Sequence, residues 1–398
     1  MPWSVTKTLG TTLLASAGIY LTLLGLLATV PILQTHVFYL HRVTLTWFKD
    51  LNVPEQFGFA PAQVSPFYVT SEDKPKLHAW HVLPLGVYRR HKSKLIDAYK
   101  SSDSLLSNTA LDILKTNPEA RLVLYFHGTA GCLGSGWRPD SYRAISAAAP
   151  DYIHVLAFDY RGYGLSSGSP SEKGLLEDGI AVVDWAMREA QIPADRIVIY
   201  AQSLGTAVAL ALIEHYASLP QPVFFAGHVL TATFSDVATL LSTYRIGGVI
   251  PVLSPLRRVP WLLSFFSSFL HSTWQSKDRI AGFVRLREKS TTGAHYYIHL
   301  IHAQDDADIT CEHSNVVYWH AVNATLPESL DYVKFQSQKR SSTLDSKQGG
   351  WTTQHQTSRG LVRQTMLNFG LHDKLMTYSV TSLAVLEAFQ WADPAFCA

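Results

Sequence analysis

Cysteine is scarce: Cys132, Cys311 and Cys397 are the only three in 398 residues, and they stand far apart with no C-x-x-C spacing. That argues against both a disulfide framework and a cysteine-built zinc site. Charge is thin as well, at 16% of residues, and the two signs nearly cancel to a formal +2. With no basic stripe, nucleic acid is set aside as a partner. No internal repeat is visible. What the chain does have is apolar bulk, 47% hydrophobic and 12% aromatic residues, over a length that permits one large domain with appendages or two ordinary ones. Such a composition fits contact with a membrane.

From Thr8 to Gln34 there is no charged residue. That run exceeds the ~20 residues needed to cross a bilayer core and the ~7–15 of a signal peptide's apolar region. A retained membrane anchor over residues 1–35 is expected. Its direction is open, since Lys7 and the α-amino group on one side balance Arg42 and Lys49 on the other. A sequon at Asn323-Ala324-Thr325 would favour a lumenal body if it is used. Residues 36–62 read as a juxtamembrane linker, with Trp47 and Phe48 beside Lys49 as an interfacial anchor.

Short apolar runs predict strands at Val64–Val69 and Leu77–Leu83, joined by a polar turn at 71–75, then at Leu122–Phe126, His154–Phe158, Ile197–Tyr200, Val229–Ala232 and Tyr297–His302. A weaker last strand is expected at Gln364–Asn368. Helical patterns separate the later runs, with Ser171 as an N-cap. Strand alternating with helix predicts a mostly parallel, doubly wound α/β sheet over residues 63–398. Tyr88–Ala120 reads as a charged surface excursion. The greasy stretch 237–287 reads as a lid, and 337–359, rich in Ser, Thr, Gln and Lys, as a disordered or loop insert.

The chemistry centres on Ala201-Gln-Ser-Leu-Gly205, where a buried strand turns into a helix. It matches the G-x-S-x-G elbow with alanine in the first position, so Ser203 is the candidate nucleophile. An ordinary helix N-cap is the competing reading. A serine nucleophile needs a base oriented by a carboxylate, in the chain order serine, acid, histidine. After the strand at Tyr297–His302 come Asp305, Asp306 and Asp308, which compete as the acid. His372 follows the last strand and is the candidate base; His313, His320 and His355 do not follow strands. The loop His127-Gly-Thr-Ala-Gly can offer backbone N–H groups to an oxyanion, Thr129 first, with the N–H of Leu204 second. No cofactor or metal is implied.

With these residues in place, the chain resembles the α/β-hydrolase superfamily over about Val64–Ala392. The segment Phe158-Asp-Tyr-Arg-Gly-Tyr-Gly-Leu-Ser-Ser-Gly-Ser-Pro-Ser, with Asp178 downstream, is the most specific match. The pattern is similar to a membrane-anchored branch holding lysophosphatidylserine and monoacylglycerol lipases. There a His-Gly-x-x-Gly loop and a His-Ala-x-Asp-Asp turn accompany the elbow, and the second aspartate is the acid. The resemblance therefore implies Asp306, an endoplasmic-reticulum membrane location and a lumenal body; Asp159 and Arg161 are expected to be structural. Ala201-Gln202 replaces Gly-His, and Ala-Asp-Ile follows Asp306 in place of Pro-Val-Val. The expected activity is hydrolysis of acyl esters, with monoacylglycerol or a lysophospholipid as substrate. An esterase, thioesterase or acyl-transfer enzyme of specialised metabolism, and a non-catalytic membrane scaffold, are the alternatives. Oligomeric state is left open.

Overall fold

In the computed structural model, which describes residues 2–70, 75–101, 108–246, 250–251, 254–290, 295–341, 343–345 and 348–396, the apolar runs split between two cores. Residues 71–74 of the expected polar turn, 247–249 and 252–253 of the expected lid, 342 and 346–347 of the insert, and Cys397 lie outside the described residues.

The chain opens with helices α1 (Pro2–Thr29) and α2 (Pro31–Tyr39). They are separated at Val30, whose extended backbone leads into Pro31 at the first helical position. Strands β1 (Val64–Val69) and β2 (Leu77–Val82) follow, then helices α3 (Leu85–Ser101) and α4 (Asn108–Thr116). The alternating part runs β3 (Arg121–Phe126), α5 (Arg138–Ala147), β4 (Ile153–Phe158), α6 (Glu172–Asp184), β5 (Ile197–Gln202), α7 (Leu204–Ser218) and β6 (Gly227–Thr231). Next come α8 (Val237–Thr243), the two-residue strands β7 (Arg245–Ile246) and β8 (Ile250–Pro251), α9 (Pro260–Ser267) and α10 (Ser276–Lys289). The chain ends with β9 (Tyr296–Ala303), α11 (Glu312–Asn323), α12 (Tyr332–Ser341), β10 (Leu344–Asp345), β11 (Gly350–Gln356), β12 (Gly360–Leu367) and α13 (Ser379–Ala392).

Among the described residues ten strands form one sheet, in the order β1-β2-β4-β3-β5-β6-β9-β12-β11-β10. The strands β4 to β12 of that order are parallel, and antiparallel strands close both ends. This is the mostly parallel, doubly wound sheet that the alternation of strand and helix predicts, and the one that the resemblance to α/β-hydrolases implies. Successive side chains point to opposite faces. Leu122, Leu124 and Phe126 therefore enter one core with α6, α7 and α10, while Val123 and Tyr125 enter the other with α5 and α13. Burial on both faces is why these strands read as unbroken apolar runs. Ser171 caps α6, its hydroxyl accepting the Gly174 N–H at 3.1 Å.

Four expectations change. The insert at 337–359 carries two strands of the sheet: β11 pairs antiparallel with β12, in the register Thr352 opposite Thr365, and on its other side with β10 at Leu344 and Asp345 alone. With only the two-residue β10 beyond it, β11 is no more than partly buried, so its sequence is polar and lacks the apolar run of a strand covered on both faces. The last parallel strand is correspondingly longer than expected. The excursion at 88–120 is not purely superficial, since Leu95, Ala110 and Ile113 bury against Leu83 and Val87. Within 237–287, α10 belongs to the outer helical layer, with Ile280, Phe283 and Val284 in the core beside Val208. The stretch 36–62 is not a free tether either. Leu51, Phe57 and Phe59 are buried with Trp80, whose indole N–H donates to the Leu51 carbonyl at 2.8 Å.

One helix among the described residues is long and apolar enough to cross a membrane, by length and composition: Lys7–Thr29 of α1, with mean hydropathy 1.8.

Candidate active site

Ser203 stands between β5 and α7 with φ 53° and ψ −122°. A non-glycine residue held there costs on the order of 1–3 kcal/mol and persists only when its surroundings over-determine it. They do so through the Ser203 N–H, which donates to the Thr231 carbonyl at 3.0 Å, and through the Thr206 hydroxyl, which donates to the Ser203 carbonyl at 2.7 Å. The serine hydroxyl makes no capping bond to α7, so the N-cap reading fails. Glycine at 205 is obligatory, because a Cβ there would lie 2.1 Å from the Phe126 carbonyl oxygen on β3. Ser203 is buried to 4% exposure yet lines a cavity of about 570 Å³. His372 and the loop 128–130 line the same cavity.

The carboxylates after β9 take three different parts. The Asp306 carboxylate accepts from His372 Nδ1 at 2.8 Å and lies 3.1 Å from His302 Nε2. Its second oxygen accepts the N–H groups of Asp308 and Ile309, at 3.0 and 2.8 Å. Asp305 instead accepts the N–H groups of Gly370 and Leu371, both at 2.8 Å, and so pins the loop that carries His372. Asp308 lines the cavity beside His372. His302 was not given a part by sequence reasoning. It is buried, with Nδ1 2.6 Å from the Ser314 hydroxyl and Nε2 2.9 Å from the Ile309 carbonyl, which fixes the ring against the acid. Its signal in the sequence is the histidine that opens the His-Ala-x-Asp-Asp turn. Gln202 bridges elbow and base loop, its amide donating to Asp373 at 3.0 Å. No hydrogen bond joins Ser203 to His372 among the described residues; in unliganded sites such contacts are often long.

Burial pushes the Asp306 carboxyl up, but His372 and His302 more than offset this and hold it well below the usual carboxylate range. For His372 burial favours the neutral ring; the charge and hydrogen bond of Asp306, with the charges of Asp373 and Asp308, win and push it up to about 9. Asp308 is raised by burial in turn. Asp306, Asp308 and His372 also lie close enough to suggest a metal cluster. Two carboxylates and an imidazole already committed to Asp306 leave few free lone pairs for an ion, and we assign none.

The loop after β3 is fixed from behind. Arg138, the first residue of α5, is 6% exposed and donates to the carbonyls of Cys132 at 2.7 Å, Gly128 at 3.1 Å, Thr129 at 3.3 Å and Ala130 at 2.8 Å. Among the described residues neither the Thr129 nor the Leu204 N–H donates to another backbone group. A Cβ at Gly128 would fall 2.3 Å from Gln202 Oε1 and 3.0 Å from Ser203 Cβ, so only glycine lets the loop approach the serine. The supposed linker closes the loop from outside. The Tyr39 carbonyl accepts from the Ala130 N–H at 3.2 Å, the Thr129 hydroxyl at 2.8 Å and the Tyr163 hydroxyl at 2.7 Å. Beneath it, Asp159 accepts the Leu133 N–H at 2.7 Å and lies 3.3 Å from His127 Nε2, while Arg161 pairs with Asp178 at 2.8 Å.

The other candidate histidines lie elsewhere. His313 is buried between Ser235 and Thr243, His320 is on α11 near Asp278, and His355 is on β11 against Thr325. Replacing Arg138 with Met leaves the four carbonyls without their donor. Phosphonylation of Ser203 by a fluorophosphonate, followed well below each variant's unfolding midpoint, is expected to slow about 10- to 100-fold, the scale of a disturbed oxyanion site. Arg138→Lys recovers only part of it, since a point charge cannot serve four acceptors. Wild-type rates in Arg138→Met would refute this part for Arg138.

Residues 123–337 match the Alpha/beta hydrolase family, a span that contains Ser203 and Asp306 and stops short of His372. The chain is 31% identical over 205 residues to "Lysophosphatidylserine lipase ABHD12" of Xenopus tropicalis, covering 52% of this chain and 48% of that protein. To the mouse (Mus musculus) protein of the same name it is 31% identical over 210 residues, with 53% and 48% covered. "Protein bem46" of Schizosaccharomyces pombe is 30% identical over 183 residues, with 46% and 53% covered. The chain thus spans about half the length of the curated relatives it matches. Among solved structures, Est1E from Butyrivibrio proteoclasticus with bound ferulic acid superposes with a TM-score of 0.46 at 12% identity, covering 81% of this chain and 96% of that one, too loosely to add to the sheet order. With the family match extending over more than half of its length, and the elbow on the parallel sheet beneath it, the chain belongs to the alpha/beta hydrolase family.

Proposed function

We propose that the protein is a membrane-associated serine hydrolase of carboxylic esters, and that its substrate is a lipid acyl ester, monoacylglycerol or a lysophospholipid. One observation carries this reading: a strained Ser203 facing an apolar cavity that it shares with His372, itself bonded to a buried carboxylate. Ser203 Oγ attacks the ester carbonyl while His372 Nε2 takes its proton. The oxyanion is met by the Thr129 and Leu204 N–H groups. His372 then protonates the leaving alcohol, giving an acyl-enzyme, and a water activated by the same nitrogen releases the acid. Asp306 stays ionised and keeps the ring oriented. Leu24, Val37, Phe234, Leu240 and Phe266 around the cavity suit an acyl chain, and the lysophosphatidylserine lipases similar to this chain support the lipid class.

The same reading makes α1 a single-pass anchor, residues 36 onward the body, and the endoplasmic-reticulum membrane its place, with the body lumenal as the resemblance implies. The sequon lends no support to that side. Asn323 donates to and accepts from Leu330, at 2.9 and 3.2 Å, and Thr325 bonds His355, so a glycan would break existing contacts. Protease added to sealed microsomes leaves a lumenal body intact; its digestion would reverse the orientation.

Fluorophosphonate labelling of membranes is expected for the wild type and is lost in Ser203→Ala and His372→Ala. Labelling that survives Ser203→Ala sinks the mechanism, and an unlabelled wild type favours the scaffold alternative. The pH profile follows from the carboxylates around His372. The imidazole must be neutral to accept a proton, and its affinity for that proton is raised, so turnover climbs with pH on the alkaline side of the ordinary histidine value of about 6.5. Asp308→Asn removes one of the charges holding the proton and moves the rising limb toward lower pH; a limb that stays in place counts against this assignment.

A further inference from the structure

Three residues of the apolar N-terminal helix, Leu24, Leu27 and Ala28, line the cavity that holds Ser203. They sit at i, i+3 and i+4, one stripe of α1. Leu24 is 5% exposed and packs with Leu256, Leu262, Leu263 and Phe266, the last three or their neighbours belonging to α9. On the other side of the mouth, α2 is fastened to the segment after α9. Gln34 donates to the Phe269 carbonyl at 2.8 Å and accepts the His271 N–H at 3.1 Å, and the Tyr39 hydroxyl meets Ser272 at 2.8 Å. The roof of the cavity is thus shared between α1, α2 and α9.

The rest of α1 stands clear of the body, for only 6% of its apolar span is buried. From Lys7 to Leu23 it rises about 26 Å, close to the ~30 Å of a bilayer's hydrocarbon core. The point where α1 meets α9 therefore falls at the membrane surface. The faces turned outward there are apolar. Trp261 and Phe265 of α9 are 72% and 53% exposed, Ile32 of α2 is 63% exposed, and the exposed Arg257 and Arg258 precede α9 where lipid phosphates would lie.

We infer that α1 is a wall of the acyl-binding site as well as a tether, and that an acyl chain reaches Ser203 sideways from the bilayer, between Leu24–Ala28 and α9. This rests on the hydrolase reading above and specifies its substrate as a long-chain lipid held in the membrane. A chain that leaves the bilayer for such a groove exchanges one apolar surround for another, so what the wall selects is the fit of the chain along it, and chain length and the α1 wall are coupled.

The test uses the full chain in phosphatidylcholine vesicles. Leu27→Trp and Ala28→Trp narrow the wall, and Leu14→Trp, at a residue of α1 that is 75% exposed, is the control. The ratio of kcat/KM for a palmitoyl to an acetyl ester is expected to fall at least tenfold in the first two and to stay within twofold in the third. A ratio unchanged in all three overturns the inference. A second readout needs no turnover and no perturbed wall. In Ser203→Ala protein, a monoacylglycerol with a diazirine in its acyl chain should cross-link to the peptide containing Leu24–Ala28 and be displaced by excess unmodified monoacylglycerol. Displaceable cross-links confined to other segments refute it. If the wild type hydrolyses neither ester, the hydrolase reading fails, and the cross-link still decides whether α1 lines an acyl site.

Discussion

The site depends on how the peptide groups after β3 are turned. For N–H groups to face the cavity their carbonyls must face the protein, and buried carbonyls need donors. Arg138 supplies them. Its guanidinium reaches four successive or nearly successive carbonyls, and no other side chain has enough donors in a fixed plane to do this. Burying that charge would be costly if it were not so fully hydrogen-bonded. The arrangement converts a flexible glycine loop into one with a single face toward Ser203.

The proposed acid and base, Asp306 and His372, are stiffened by the same principle of complete satisfaction. Asp306 is surrounded by two imidazole groups and two backbone N–H groups, so its geometry is determined from every side. Asp305 fixes the backbone two residues before His372, and Gln202 ties the residue after it to the elbow. Ser203, Asp306 and His372 follow β5, β9 and β12; Asp305 and Asp306 both reach across from the end of β9 to the loop after β12, and Gln202 reaches that loop from the end of β5.

Much of this was legible from residues alone. The parallel strands announced themselves because both faces are buried, and Ser203 because small residues must flank a strained turn. Order along the chain then singled out a carboxylate cluster and His372. Choosing Asp306 over Asp305 needed the family resemblance, because both sit in one acidic turn and only their hydrogen-bond partners separate them. Arg138 and His302 went unread for a different reason: their parts are to satisfy atoms on distant segments, and nothing local in sequence marks that. The strand at Gly350–Gln356 leaves no apolar signal because it is only partly buried, with the two-residue β10 as its outer neighbour.

The carbonyl of Tyr39, the ninth and last residue of α2, gathers three donors from the loop and from Tyr163. A backbone atom cannot be replaced by mutation, and its position is set by the number of residues between it and Pro31. The spacing between the apolar N-terminal helix and the loop beside Ser203 is therefore a fixed dimension of the fold. Insertions or deletions across 31–44 would be felt as a misplaced carbonyl at the site, whereas the exposed N-terminal half of α1 makes no such contact and is not held to a fixed length.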